Sequence, residues 1–235
     1  MSDQSASFYE TYASYKAYHS PVIGQKQIRR FDAEIWRPAT CTPEMAFLDL
    51  GCGTGAFLAY LAAKGVTRRI GIDHDPALAT VLPEPVRADF RCGDLLTLLA
   101  DPALGQFDRI VMLDVLEHFS ATTGRDLLRL ARQRLTPNGR VVLKVPNAGC
   151  PWGLSYQFGD LTHCTAFSPP ALRQLADAAG FTAEIRAQIQ GSPRRRLTDA
   201  LVHRVLSWAL LTPPEVWSAN FYAILTPRPE SPPPA

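Results

Sequence analysis

A chain of 235 residues, 46% of them hydrophobic, is long enough to bury a core of its own without disulfide or metal staples. Its net charge of +2 is too small to predict nucleic acid or an anionic membrane as a partner, and no apolar run is long enough to span a bilayer. The opening residues, MSDQSASFYE, lack the basic and apolar regions of a secretory signal. Five scattered cysteines (Cys41, Cys52, Cys92, Cys150, Cys164) form no C-x-x-C pair, which predicts free thiols, a cytoplasmic location and no metal.

The first predicted element is helical, from Phe8 to Trp36. An aromatic, polar stretch (Phe8, Tyr9, Tyr12, Tyr15, Tyr18) is broken at Pro21, and IGQKQIRRFDAEIW then sets Ile28, Phe31, Ile35 and Trp36 on one face. RPATCTPE reads as a connector. From Met45, short apolar strands alternate with helices. MAFLDL is strand one, AFLAYLAAKG a helix stopped by Gly65, RRIGID strand two, and DPALATVL a short helix with Pro76 in its first turn. VRADFR and FDRIVML are strands three and four. TGRDLLRLARQRLTPNG is an amphipathic helix with a Pro-Asn-Gly stop, followed by RVVLKVP as strand five. SPPALRQLADAAG is a helix capped by Ser168, FTAEIRAQI is strand six and SANFYAIL the last strand. Before that last strand, SPRRRLTDALVHRVLSWALL predicts an amphipathic helix with Leu197, Leu201, Val205 and Leu206 on one face. Packing on the core or on a second copy is preferred over a membrane surface, although peripheral membrane contact stays open. The alternation predicts an α/β fold, an open, mostly parallel, doubly wound sheet with ligands at the carboxyl ends of its strands. Residues 1–43 read as a helical cap, 44–226 as the main domain and 227–235 as a disordered, Pro-rich tail.

FLDLGCGTGAF joins strand one to its helix through Gly51, Gly53 and Gly55, a G-x-G-x-G spacing. A dinucleotide fingerprint is G-x-G-x-x-G and presents its helix to a pyrophosphate. Here Asp49 precedes the first glycine. A carboxylate there repels phosphate and attracts an ammonium or sulfonium, so the loop suits a ligand with a cationic amino-acid end. Cys52 lies inside the loop. Asp73, at the end of strand two, is placed to accept from both ribose hydroxyls, with His74 beside it. Asp94 after strand three is either a helix cap or an acceptor for an adenine amine, with Leu95 packing on the ring; the company of the other motifs favours the ligand role.

These pieces, DLGCGTG, GID, GD, FDRIVMLDVLEHFS and LTPNGRVVLKVPN, resemble in order and spacing the class I S-adenosyl-L-methionine-dependent methyltransferases. The likeness runs from Phe47 to Phe181 and is nearest the branch that acts on small molecules and carries V-L-E-H after strand four. It implies a Rossmann-like, seven-stranded sheet with the last strand antiparallel and the 44–226 segment as the methyltransferase domain. It also implies S-adenosyl-L-methionine as cofactor, with the glycine loop at its methionine moiety. Asp73 would lie at the ribose, Asp94 near the adenine, and Leu113, Asp114 and His118 close by.

Methyl transfer to a hydroxyl is helped by a base. His163, in GDLTHCTAFSPP, is the favoured one; the alternative is that it only holds its loop or lines the pocket. Asp160 either orients it or makes a turn. His118 is the second candidate, although the resemblance implies a structural or cofactor-adjacent role. A Cys164–His163 nucleophile lacks a third partner, and Cys150, His163 and Cys164 match no zinc spacing. LDVLEH is not the Pro-Pro-aromatic motif of amino-methylating enzymes, and GCPWG reverses the Pro-Cys of cytosine methylases. Tyr12 or Tyr15 would touch the cofactor if the N-terminal segment folds as a lid, against the simpler role of packing on the sheet. Trp152, Tyr156 and Phe158 suit sugar rings and planar aromatics alike. The expected acceptor is a hydroxyl of a saccharide or other small metabolite. An N- or C-methyltransferase and a non-catalytic cofactor-binding subunit remain alternatives, and the expected state is monomer or homodimer.

Overall fold

The structure is a computed structural model that describes residues 18–189 and 191–229. The predicted contacts of Tyr12 and Tyr15 and the end of the Pro-rich tail lie outside these residues. Helix α1 (Gln25–Phe31) runs into a π-helical turn (Asp32–Trp36), where the Arg37 N–H reaches back to the Asp32 carbonyl at 3.0 Å. Phe31 and Ile35 are buried as their spacing requires, and Trp36 stacks on Phe47 at 5.9 Å.

The sheet follows in chain order: β1 (Phe47–Leu50), α2 (Ala56–Ala63), β2 (Arg69–Asp73), α3 (Leu78–Val81), β3 (Phe90–Cys92), α4 (Leu95–Ala100), β4 (Phe107–Leu113), α5 (Ala121–Gln133), β5 (Leu135–Pro146), α6 (Pro151–Gln157), α7 (Pro169–Ala178), β6 (Phe181–Ala187), α8 (Pro193–Ala209) and β7 (Asn220–Pro227). The strand order is β3-β2-β1-β4-β5-β7-β6. The first five strands are parallel, and β7 is antiparallel to both of its neighbours. This is the expected seven-stranded Rossmann-like sheet. Strand periodicity divides its side chains between two cores. Leu48, Leu50, Ile110, Met112, Val141 and Leu143 face α4, α5 and α7. Phe47, Val111, Val142 and Tyr222 face α1, α2 and α3. Strand order reverses between β1 and β4, so a crevice opens outside their carboxyl ends.

Several elements depart from the sequence reading. Of the segment read as helical from Phe8, residues 18–24 are irregular and the helix begins at Gln25. Helices α4 and α6 are not among the predicted elements. Strand three shrinks to Phe90–Cys92, and the residues before it, Glu84–Asp89, form a 3-10 turn behind two prolines. The Pro-Asn-Gly stop belongs to β5, where the β4–β5 register jumps between Phe107 and Arg109 and the extra residues bulge. Helix α8 forms as predicted but buries none of its residues, which corrects the expectation of core packing; Leu197 is 74% and Trp208 87% exposed. It is tethered by His203, which stacks on Trp217 at 4.7 Å and accepts from the Trp152 indole N–H at 3.1 Å. No helix among the described residues is long and apolar enough to cross a membrane.

Two buried charges lock the N-terminal segment to the sheet. Arg109 donates from Nε to the Ala39 carbonyl at 2.8 Å and from Nη2 to the Thr40 carbonyl at 3.2 Å. Glu34 accepts from the Tyr222 hydroxyl at 2.8 Å and the Ile189 N–H at 3.0 Å. Burial raises the Glu34 carboxyl, and these bonds oppose the rise without cancelling it. Tyr222→Phe leaves that carboxylate one donor short in a dry site. It should cost about 1–3 kcal/mol, read as a lower urea midpoint at unchanged slope.

Candidate functional site

The loop after β1 needs its glycines. Gly51, Gly53 and Gly55 all have positive φ (68°, 50° and 81°). A Cβ on Gly51 would sit 2.4 Å from Val115 Cγ2, in the segment after β4, and one on Gly55 would sit 2.9 Å from Leu82 Cδ2. At Gly53 a Cβ would meet nothing within 4 Å, so the loop is open on that side. The chain turns through N–H bonds from Gly51 and Cys52 to the Ile72 carbonyl, at 2.8 and 3.1 Å. Cys52 is buried, and burial followed by the charges of Asp49 and Asp73 pushes its thiol far up, so it is an inert packing group.

Two acids flank this loop in opposite states. Asp73 accepts from the Gly53 N–H at 2.9 Å, the Asp75 N–H at 3.3 Å and His74 Nδ1 at 3.2 Å. Burial pushes its carboxyl up, but these bonds outweigh burial and hold it below its ordinary value. His74 moves up in turn, chiefly through its bond to Asp73. Asp49 is 2% exposed, and its Oδ2 has no hydrogen-bond partner among the described residues. Burial, then the neighbouring Asp73, pushes its carboxyl well above the usual range. Asp94 caps α4 with one oxygen, Oδ1, which accepts from the Thr97 N–H and hydroxyl at 2.8 and 2.9 Å; Leu95 is buried behind it.

At the end of β4, Leu113 is half-buried and Asp114 adopts a left-handed φ of 58°. Asp114 is held there by Lys144, whose Nζ lies 2.6 Å from Oδ2. A 3-10 turn (Leu116–His118) follows. It sends Glu117 fully inward, with neither carboxylate oxygen hydrogen-bonded among the described residues. Burial and then the charge of Asp114 push this carboxyl well up. The Glu117 carbonyl accepts the N–H groups of Cys164 and Thr165 at 2.7 and 3.0 Å, which pins the His163 loop to the turn. His118 and His163 therefore meet edge to face, with centroids 4.7 Å apart. His163 Nδ1 donates to the Gln157 carbonyl at 2.8 Å, which leaves the lone pair on Nε2. Asp160 takes the Thr162 hydroxyl proton at 2.5 Å, so that hydroxyl accepts from His118 Nδ1 at 3.0 Å. Asp160 thus makes a turn, accepting the Thr162 N–H at 3.0 Å as well, and meets His118 through the Thr162 hydroxyl. The cysteines lie apart from this chemistry: the Cys150 thiol donates to the Trp217 carbonyl at 3.1 Å and Cys164 Sγ to the Thr162 carbonyl at 3.6 Å. Glu117 is the residue that the sequence reading passed over. Its signal was an acid inside the apolar run VMLDVLEHF.

Residues 24–184 match the family model of the methyltransferase domain. The chain belongs to this family, the class I S-adenosyl-L-methionine-dependent methyltransferases. It is 33% identical over 143 residues to magnesium-protoporphyrin O-methyltransferase of Rhodobacter capsulatus, covering 57% of this chain and 61% of that protein. Over 118 residues it is 34% identical to an O-antigen chain terminator bifunctional methyltransferase/kinase of Escherichia coli, covering 46% of this chain and 16% of the relative. The chain thus spans less than two thirds of either relative. A crystal structure of a methyltransferase from Archaeoglobus fulgidus superposes with a TM-score of 0.65 at 18% identity, covering 94% of this chain and all of the other. The site fits the family's cofactor. The side of the loop at Gly53 is open, the unpartnered Asp49 oxygen calls for a cationic group, and Asp73 is ionised at the edge of the crevice.

Two outcomes follow for the loop. Gly51→Ala forces a methyl into Val115 at a left-handed φ, and it should lower the thermal midpoint by several degrees, with about 1–3 kcal/mol lost. Asp49 titrates above its unfolded value. Its contribution to stability is therefore complete below about pH 3.9 and is lost as pH rises through the higher folded value. The urea midpoint of Asp49→Asn should accordingly fall less than that of the wild type between about pH 5 and 8.

Proposed function

We propose that this chain transfers a methyl group from S-adenosyl-L-methionine to a hydroxyl oxygen of a small acceptor, a saccharide or another hydroxylated metabolite. The observation that carries this reading is the histidine corner at the carboxyl end of β4, beside the glycine loop. His163 presents its Nε2 lone pair there, with Nδ1 tied back to the Gln157 carbonyl. A hydroxyl acceptor needs a group that takes its proton, and a neutral imidazole of fixed tautomer is suited to that work near neutral pH. The name of one relative, an O-methyltransferase, supports transfer to oxygen. The small net charge supports a small acceptor over nucleic acid.

On this reading Asp49 faces the cationic amino-acid end of the cofactor, and Asp73 accepts from the ribose hydroxyls while still bonded to Gly53. Asp94 caps α4 with Oδ1 and turns Oδ2 to the adenine, with Leu95 and Leu113 as apolar walls. The cofactor, when bound, supplies a methyl on a sulfonium sulfur, which becomes a neutral thioether as the new carbon–oxygen bond forms. The protein's part is to hold the acceptor oxygen in line and to exclude water. Exposed Trp152, Tyr156 and Phe158 on and after α6 offer ring faces to the acceptor.

Calorimetric titration with S-adenosylhomocysteine, using NAD as the control, tests the cofactor. The wild type should bind the former alone, and Asp73→Ala should weaken it by at least about 30-fold (roughly 2 kcal/mol, two lost hydrogen bonds). With a hydroxylated acceptor, His163→Ala should lower kcat by about 10²–10⁴-fold while S-adenosylhomocysteine affinity stays within about threefold. An unchanged rate in His163→Ala would remove the hydroxyl reading in favour of an amine or carbon acceptor.

A further inference from the structure

We propose that Glu117, His118 and His163 form a binding site for one divalent transition-metal ion. Each offers a ligand atom, and the three atoms lie within 4.8 Å of one another. An ion bonded at about 2.1 Å to each would hold them roughly 3.4 Å apart. Rotamer adjustments of about an ångström close that gap.

Three independent features support the site. First, Glu117 is fully buried, and both of its carboxylate oxygens lack a hydrogen-bond partner among the described residues. A buried carboxylate in that condition is costly, and native structures seldom leave one unexplained. A cation beside it supplies the missing counter-charge. Second, both imidazoles are held from behind as metal ligands are, each donating its Nδ1 proton to an oxygen. His163 donates to the Gln157 carbonyl, and His118 donates to the Thr162 hydroxyl that Asp160 orients. On His163, whose partner is a carbonyl, this leaves the ligand lone pair on Nε2. Third, the two chain segments that bring the ligands are bolted together by the N–H bonds of Cys164 and Thr165 to the Glu117 carbonyl. The two chain segments are thus held at a fixed spacing, and side-chain rotation alone is needed to close on an ion.

Two nitrogens and one oxygen suit Mn²⁺, Fe²⁺, Co²⁺ or Zn²⁺ better than Mg²⁺ or Ca²⁺, which prefer all-oxygen shells. Three protein ligands leave positions open for an acceptor hydroxyl. The purpose of the ion, though not its presence, rests on the hydroxyl-methylation reading above. In the ion-free protein His163 Nε2 is a base; with the ion bound it is a ligand, and the ion itself makes the hydroxyl more acidic.

The test uses the full chain, stripped with EDTA, desalted and titrated calorimetrically with MnCl2 and separately with ZnCl2. S-adenosylhomocysteine binding and the thermal midpoint are measured on the same samples. One equivalent of at least one ion should bind, and its affinity should fall by at least about 30-fold in both Glu117→Gln and His163→Ala. Both variants should keep S-adenosylhomocysteine binding, which shows that they are folded. A wild type that binds S-adenosylhomocysteine but neither ion overturns the site. Ion binding that survives in both folded variants also overturns it. Ion binding lost in the variants, from a wild type that never binds S-adenosylhomocysteine, upholds the site and removes the methyl-transfer reading instead.

Discussion

Only a hydrogen atom fits between the loop after β1 and the segment after β4. The Gly51–Val115 approach, where a Cβ would come within 2.4 Å of a methyl, sets the spacing of the two carboxyl ends that flank the switch in strand order. On the β1 side, positive φ at the three glycines aims the Gly53 N–H at Asp73. On the β4 side, Val115 seated against the glycine starts the 3-10 turn that carries Glu117 inward and His118 towards His163. The candidate cofactor side and the candidate acceptor side therefore share a wall. A shift of either loop is felt by both.

The buried charges of this protein fall into two kinds, and the difference separates framework from site. Arg109 and Glu34 are buried and bonded, the first to backbone carbonyls and the second to Tyr222 and Ile189. They hold the N-terminal segment to the sheet, and their chemistry is complete within the chain. Asp49 and Glu117 are as deeply buried, yet each keeps oxygen atoms without a partner among the described residues. Such groups cost stability until something cationic arrives. On the readings proposed above, that group would be an ammonium or sulfonium for Asp49 and a metal ion for Glu117. Asp73 lies between the two kinds. Its bonds to Gly53, Asp75 and His74 keep it charged, and its position at the edge of the crevice keeps it usable.

The glycine loop was legible in the sequence because its constraints are local. Three glycines at alternate positions between an apolar strand and an apolar helix admit few backbone paths. The sheet was legible from alternation and resemblance together. What was not legible depends on distant partners. Glu117 sits in an apolar run where its neighbours argue for burial, and nothing local tells whether a buried acid is bonded or bare. His163 reaches His118 only because backbone N–H groups of its loop bind the Glu117 carbonyl. Pro-Asn-Gly stops helices and also makes bulges, and pairing with β4 decides between them. The apolar stripe of α8 was read correctly as a stripe, but periodicity does not say what covers it. Helix α6 is not signalled locally, since it contains both a proline and a glycine. Pro151 occupies the first turn, where a missing N–H costs nothing, and Gly153 lies so close to the Asn147 carbonyl that no side chain fits.

That last helix joins recognition to chemistry. Gln157 ends α6, and its carbonyl fixes the tautomer of His163. The same short helix and the residue after it carry the exposed rings of Trp152, Tyr156 and Phe158. A change in how α6 sits alters the ring faces offered to an acceptor and also the anchor of the imidazole that would serve it. Trp152 is bonded in turn to His203 of α8, whose apolar face is uncovered. The Trp152–His203 bond joins α8 to α6, and the Gln157 carbonyl joins α6 to His163. On the proposed reading, acceptor contact and proton handling would share this short helix, while the glycine loop and Asp73 rest on the core of the sheet.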